Sequence, residues 1–361
     1  MLFRILKFLL YFIFLVNGIL LIVCLNAQYI NPLVNWLPSA IVLFFKYFSA
    51  LNIFCLILFR IAKNKPLSII AALLFIYSLI GLVKVFAFHP FAAKSENSLK
   101  IMTYNVEGFE WYANANDLHK MLAVIKNENP DILCLEEYYL QEKYRKLAFD
   151  TLTKIYGYRY YKEYIVQTAP PDHKFGLAIF SRYPFINFTP IPYGIMRTNN
   201  GAYYVDVKYK SCIFRLFNIH LQSASLNERE YELPTSQKDF TAFRFDLFKM
   251  GVTKLREAFR KRSLQADIIE DSIEKSQHKV ILCGDFNDLA LSYAYSKLTT
   301  RLDDAYLKAG FGLGSTYAGK IPFLRIDHIL ADPSIKIEKT YVVKKTGSDH
   351  YPLVSYIDPC E

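Results

Sequence analysis

KVILCGDFND, residues 279–288, is an apolar run that opens directly into a glycine, an acid, an aromatic and an amide. Its first half reads as a buried strand, and a buried strand has no structural need for Asp285 and Asn287 at its end. The same signature recurs on either side. LKIMTYNV (99–106) ends in Asn105 and leads to Glu107, DILCLEE (131–137) ends in Glu137, and CIFRLFNIHL (212–221) carries His220. FLRIDHILA (323–331) carries Asp327, and the loop before a last strand, PLVSYI (352–357), carries Asp349 and His350. FGLAIFSR (175–182) and AYYVDVKY (202–209) are further strands, and helical periodicity appears at 116–128, at about 139–156 and most clearly at about 239–275. Helices alternate with strands early, then strands follow strands, which predicts an α/β domain built as a two-sheet β-sandwich flanked by helices. Side chains at strand ends converge on one edge of such a sandwich. Acids, amides and two imidazoles gathered there suit a divalent metal and phosphate chemistry.

Upstream of residue 99 the chain changes character. Three apolar stretches, 8–25, 37–59 and 67–88, have 18, 23 and 22 residues, each enough to cross a hydrocarbon core of about 30 Å. A cleaved signal peptide is the rival reading of the first, which follows Arg4 and Lys7, but no A-x-A-like site follows it and two further spans do. Lys46 interrupts the second stretch: either it snorkels from the helix end or the helix begins nearer Lys46 than Leu37. Arg4 and Lys7 precede the first span, residues 26–36 hold no Lys or Arg, and Arg60, Lys63 and Lys65 fill the second loop. The positive-inside rule therefore puts the N-terminus and second loop in the cytoplasm. The resulting organisation is a transmembrane region at 1–90, a polar linker at 91–98, and a domain at 99–361 on the extracytoplasmic side of a plasma or inner membrane. The lipid bilayer is then a partner, and no protein partner is indicated.

The formal charge of +10 arises mostly in the membrane region, because seven of the 43 Lys/Arg and none of the 33 Asp/Glu lie in residues 1–88. Basicity is thus no argument for nucleic acid. With 53% hydrophobic and 21% charged residues, a disordered or fibrous chain is excluded. The six cysteines (24, 55, 134, 212, 283 and 360) show no CxxC spacing, and five lie in apolar runs. They read as buried thiols, neither a disulfide framework nor a zinc site.

TYNVEGF (103–109), DILCLEE (131–137), FGLAIFSRYP (175–184), FNIHLQS (217–223), VILCGDFND (280–288), FLRIDHIL (323–330) and GSDHYPL (347–353) occur in the order seen in the endonuclease/exonuclease/phosphatase superfamily. Over roughly residues 99–357 the chain resembles its deoxyribonuclease I-like members. GDFN followed by SDH is specific; NVEG or LEE alone is weak. The resemblance implies a four-layer sandwich and a phosphoester hydrolase using Mg²⁺ or Mn²⁺.

It also implies roles, residue by residue. Glu137, preferred over Glu136, is a metal ligand, whose plainer reading is a solvated strand-end acid. Asn105 supports metal and phosphate, Glu107 is a second acid that reads equally as a turn residue, and Asp349 is a further ligand. Asp285 orients or deprotonates the attacking water, and Asn287 donates to a phosphate oxygen. His350 hydrogen-bonds the phosphate or the water, with Asp327 fixing its ring. His220 stabilises charge on the phosphate or leaving oxygen, with Glu163 as its orienting acid. Asp288 reads as a helix N-cap, and His328, on the strand face opposite Asp327, as structural, like His89, His119, His173 and His278.

Region 224–278 carries Arg244, Lys249, Lys254, Arg256, Arg260, Lys261 and Arg262. A nucleic-acid face is one reading; a solvated amphipathic helix, close to anionic lipid, is the plainer one. The expected function is a membrane-anchored, divalent-metal-dependent phosphoester hydrolase, nuclease-like or phosphatase-like, acting on nucleic acid or a membrane-associated phosphate. The alternatives are a phosphatase of lipid-linked or isoprenoid pyrophosphates, and a non-catalytic binding module on the same fold. Loss of a central residue would mark the last, and none of the set is missing.

Overall fold

A computed structural model describes the chain apart from residues 91, 94–97, 109–114, 141, 170–172, 195–197, 199, 225–236 and 320, and apart from some side chains, among them those of 237–248. The chain divides into one unit of residues 1–85, 224–263 and 289–296, and another of 86–223, 264–288 and 297–361.

In the first unit, α1 (Leu2–Asn26), α2 (Leu37–Ile41), α3 (Phe45–Ile61) and α4 (Lys65–Val85) form the N-terminal helices. The stretches 4–29, 37–61 and 65–85 are long and apolar enough to cross a membrane. The second is broken by a tight turn at Val42–Phe44, so it starts at Leu37 and bends just before Lys46. The third stops at Val85, short of Phe88, because Ala87–Phe88 pair as a strand instead. Small residues let the helices approach: a Cβ on Gly81 would lie 2.5 Å from the Phe45 ring. Phe14, Cys55, Phe59 and Ala71 pack together. Asn52 Nδ2 donates to Ala71 O (3.0 Å) and Asn26 Nδ2 to Tyr77 OH (3.1 Å), each worth about 0.6 kcal/mol in a membrane setting.

The remaining elements are β1 (Ala87–Phe88), β2 (Leu99–Asn105), α5 (Ala115–Glu128), β3 (Ile132–Leu140), α6 (Glu142–Asp150), β4 (Tyr160–Ala169), β5 (His173–Ser181), β6 (Phe185–Ile191), β7 (Ala202–Tyr209), β8 (Cys212–His220) and α7 (Gln237–Glu274). They continue with β9 (Lys279–Asp285), α8 (Tyr293–Leu298), β10 (Asp303–Asp304), α9 (Ala305–Ala309), β11 (Phe311–Gly312), β12 (Asp327–Ala331), β13 (Lys336–Val342) and β14 (Leu353–Asp358). Two six-stranded sheets result, ordered β13-β14-β2-β3-β5-β4 and β10-β12-β9-β8-β7-β6. Strand alternation explains the layers. Ile101, Ile132, Cys134 and Ile179 from one sheet meet Val205, Phe214, Leu216, Ile281 and Ile329 from the other, while Met102, Tyr104, Leu133 and Leu135 pack outward on Leu118, Met121, Leu122 and Ile125 of α5. Each such fully buried side chain contributes roughly 1.5–3 kcal/mol. The helix expected at about 139–156 starts later, since β3 runs to Leu140.

Each sheet holds one parallel pair, β2–β3 and β8–β9. The last residues of β2, β8 and β9 are Asn105, His220 and Asp285, while antiparallel β12 starts beside β9 at Asp327. Across three neighbouring strands, His220, Asp285 and Asp327 are direct register partners.

The expectation of free thiols fails for two cysteines: Cys212 and Cys360 form a disulfide with Cα atoms 5.5 Å apart, whereas Cys24, Cys55, Cys134 and Cys283 are free and buried. The two partners are 148 residues apart in sequence, so no spacing pattern signals the pair. It forms because the start of β8 and the end of β14 meet at one edge of the sandwich.

Candidate active site

Asp285 stands at the centre. Its Oδ2 accepts from Asn105 Nδ2 (2.9 Å) and Asn287 Nδ2 (3.1 Å), and its Oδ1 from Asn287 N (2.7 Å). His220 Nε2 lies 3.6 Å from Asp285 Oδ2 and 3.6 Å from Glu137 Oε1, and 3.1 Å from Asn287 Nδ2. His350 Nδ1 bonds Asp327 Oδ2 at 2.9 Å, leaving Nε2 at 3.8 Å from both Asp285 Oδ2 and Asp349 Oδ1. Asn105 Nδ2 also donates to Glu137 Oε1 (3.2 Å), and Glu107 Oε2 accepts from Asp349 N (3.1 Å). The structure thus gathers all nine of the residues Asn105, Glu107, Glu137, His220, Asp285, Asn287, Asp327, Asp349 and His350.

Local backbone geometry aims these groups. The β3–β5 register shifts between Leu135 and Tyr138, a bulge that turns consecutive acids to different places. Glu136 goes inward to Thr103 Oγ1 at 2.9 Å, while Glu137 reaches Asn105. Glu107, Glu137 and Asn287 have φ of 43°, 49° and 51°, a left-handed conformation costing each about 1–3 kcal/mol. Gly284 has φ of 147°, and a Cβ there would lie 1.9 Å from Ile219 O, so only glycine lets β9 approach β8 this closely.

The electrostatics are those of crowded acids. Burial and the Asp349 carboxylate push Glu107 up to about 7, and burial and Asp327 push Asp285 up to about 8. Burial also raises Glu137. The imidazoles diverge: burial and nearby His350 push His220 down to about 3, so it is neutral. Burial would lower His350 too, but Asp327 and Asp285 outweigh it and hold the ring well above the ordinary histidine value. Among the described residues no Lys or Arg pairs with Glu107, Glu137, Asp285 or Asp349. Hard oxygen donors with unneutralised charge fit a divalent cation of the Mg²⁺ or Mn²⁺ kind. One donor atom each from Glu137, His220 and Asp285, and likewise from Asp285, Asp327 and His350, lie within 4.8 Å of one another.

The model of the Endonuclease/Exonuclease/phosphatase family matches residues 102–350. The chain belongs to this family. No curated protein sequence matches it. Its fold is similar to that of a humanized TDP2 from D. rerio, at 16% identity over 72% of this chain and 99% of that one, TM-score 0.51. The human nocturnin catalytic domain with bound sulfate is similar at 18% identity, covering 74% and 96%, TM-score 0.53. A mannosyl-6-phosphatase of Bacteroides thetaiotaomicron VPI-5482 is similar at 16% identity, covering 72% and 100%, TM-score 0.51. At such identity the likeness shows the deoxyribonuclease I-like fold alone.

Within this family fold, some expected residues fall elsewhere. Glu163 pairs in register with Ala178 on β4 and is not a partner of His220, whose neighbours are Asn287, Glu137 and Asp285. Asp288 does not cap a helix at Leu289, because residues there turn first and Ser292 Oγ accepts from Tyr295 N at 3.2 Å in the first turn of α8. Of the basic residues, Arg262 is buried, its guanidinium 4.4 Å from the Phe259 ring centroid, so it lies on no solvated face. Lys249 and Arg256 are exposed, Lys254, Arg260 and Lys261 half-buried, and the Arg244 side chain is outside those described. His328 is buried beside Asp304 (3.4 Å), which also takes Arg325 Nη1 (2.5 Å). Positioning residues that strand-end reading misses include Ser348, whose Oγ donates to Asn105 O at 2.8 Å. Thr316 Oγ1 accepts from Asp327 N at 3.1 Å. Asn218 Nδ2 bridges the sheets to Leu135 O and Ala178 O, both at 3.1 Å. Ser348 was visible in the SDH motif; the other two had no sequence signal beyond a polar residue among apolar ones.

Proposed function

We propose that this family member is a membrane-anchored hydrolase that cleaves a phosphoester bond with a divalent cation, its catalytic domain on the extracytoplasmic side. The observation that carries this is the alignment of His220, Asp285 and Asp327 across three adjacent strands, facing Asn105 and Glu137 from the other sheet. Glu137, Asp349, Glu107 and Asn105 would hold the ion, which when bound supplies a Lewis acid for a phosphoryl oxygen. Asp285, whose ionised form a cation held beside it would favour, orients the attacking water through Oδ2 and accepts its proton as the water oxygen bonds to phosphorus. The bond from phosphorus to the leaving group breaks, its electron pair departs with the leaving oxygen, and that oxygen is protonated from solvent. Cationic His350, its ring fixed by Asp327, faces the charge growing on the phosphoryl oxygens, and neutral His220 and the Asn287 amide add dipoles. The Cys212–Cys360 disulfide favours an oxidising compartment, in keeping with the Lys/Arg distribution beside the spans.

The test is a hydrolysis panel of DNA, RNA, phospholipid, a polyprenyl pyrophosphate and small nitrophenyl phosphates, with the full chain in vesicles and Mg²⁺ or Mn²⁺. Turnover of at least one ester is expected, with loss of about 10²–10⁴-fold in Asp285→Asn. No turnover of any ester, or full activity in the variant, would contradict the reading.

A further inference from the structure

The short strand pair at the start of the hydrolase unit carries outward-facing rings. Phe88, Phe311 and Phe323 are 71%, 56% and 54% exposed. Phe88 and Phe311 are register partners, with ring centroids 5.9 Å apart, and Phe86 adds a third ring 6.1 Å from Phe311. Phe323 holds its position at φ of 64°, a conformation strained for a bulky side chain. Such a group is costly in water, since each ring offers roughly 150–250 Å². Covalent connectivity says what lies beside it: α4 ends at Val85, three residues before Phe88, and three residues reach at most about 11 Å. When α4 spans a bilayer, Phe86 and Phe88 are therefore at headgroup depth, where aromatic side chains concentrate, and the strand pairing holds Phe311 with them.

Phe311 and Phe323 also line a cavity of about 740 Å³. Its other walls include Tyr341, Tyr351 and two exposed lysines, Lys339 and Lys344. The volume is far more than a phosphate needs and falls in the range of sites for sizeable small molecules. The cavity shares a wall with the catalytic loop. Tyr317 lines it and sets its ring edge-on to His350, centroids 5.7 Å apart, and the N–H of Ala318, another lining residue, donates to Asp349 O at 2.6 Å. The cavity thus borders the apolar rim through Phe311 and Phe323 and the loop of Asp349 and His350 through Tyr317 and Ala318, with lysines suited to anionic headgroups in its wall.

We infer that the enzyme draws an amphiphilic phosphoester, a phosphate or pyrophosphate on a long hydrocarbon chain, directly from the bilayer. The rim of Phe88, Phe311 and Phe323 sits in the boundary between headgroups and acyl chains, and the cavity receives the part of the substrate next to the phosphate. This deepens the hydrolase reading above and rests on it.

The experiment uses the full chain in phosphatidylcholine/phosphatidylglycerol vesicles with Mg²⁺ or Mn²⁺. It compares a polyprenyl pyrophosphate and a phosphatidic acid in the bilayer with soluble p-nitrophenyl phosphate and bis(p-nitrophenyl) phosphate. Phe311→Ser combined with Phe323→Ser is expected to lower kcat/KM on the lipid by roughly tenfold or more, a fraction of what burying two phenylalanines is worth. The soluble ester, which makes no use of the rim, should lose several-fold less than the lipid. Equal losses on both substrates, no loss on either, or a wild type that cleaves soluble esters or DNA but neither lipid would overturn the inference while the hydrolase reading stands. A wild type that cleaves nothing overturns both. Independently of activity, the emission that Phe311→Trp adds to the parent's should be quenched by brominated acyl chains; no added quenching overturns the rim's placement.

Discussion

Asp285 is where the two sheets meet chemically, since it takes hydrogen bonds from Asn105 and Asn287 and faces both imidazoles. Its folded value of about 8 lies above the ordinary carboxylate value of about 3.9, which fixes a sign. In cation-free protein the raised value contributes stability that is fully present below about pH 4 and is lost as pH rises through 8. Asp285→Asn should therefore flatten the decline in Tm between about pH 4 and 8 relative to wild type while lowering turnover by about 10²–10⁴-fold. An unchanged difference in Tm across that window would show that Asp285 ionises freely. A second residue test concerns Asp304, which caps α9 through Tyr306 N and Leu307 N and pairs with Arg325. Burial opposes its ionisation, but Arg325 and His328 hold its carboxyl well below the usual range. This stability is present above about pH 4 and lost as pH falls through the folded value. Arg325→Met removes the guanidinium that faces this buried carboxylate and should cost about 3–5 kcal/mol in denaturant unfolding at pH 7. A cost under about 1 kcal/mol would mean that the cap and His328 suffice. Most of the site was legible at this scale because Asn, Asp and His are conspicuous at the ends of apolar strands. Glu163 was misplaced because a strand's sequence gives its faces but not which strand lies opposite, and His220 ended beside Asn287 and Glu137 instead.

At the scale of elements, periodicity located the strands well but not their ends. The bulge at Glu136–Glu137 shows why: a single inserted residue reverses which acid enters the site, and nothing in DILCLEE fixes the register. Hydropathy alone carries the third apolar stretch to Phe88, yet Ala87–Phe88 pair with Phe311–Gly312, a partner more than two hundred positions away that hydropathy does not see. Cys212–Cys360 was missed for the same reason. Cys212→Ser should lower stability by about 2–5 kcal/mol under oxidising conditions, read by thermal unfolding with and without reductant. An identical Tm for variant and oxidised wild type would show that the bridge is absent from the native protein.

At the scale of the molecule, three apolar helices precede a sandwich whose acids gather at one edge with no Lys or Arg among the described residues to neutralise them. The Lys/Arg pattern beside the spans implies that a reporter fused after Glu361 reads as extracytoplasmic; a cytoplasmic readout would invert the topology. Fold class was legible because strands ending in polar residues and a change from membrane-length apolar runs to short alternating ones are both written locally. Substrate class was not, because the rim and cavity to which we tie it bring together β1, β11 and loop residues far apart in sequence. The proposed hydrolysis depends on a cation held by this clustered charge. The most direct measurement is turnover by the full chain in vesicles during titration with a chelator, followed by return of Mg²⁺ or Mn²⁺, in wild type and Asp285→Asn. Wild-type activity should vanish with excess chelator and return with the ion, and the variant should stay inactive throughout; full turnover in excess chelator would contradict the claim.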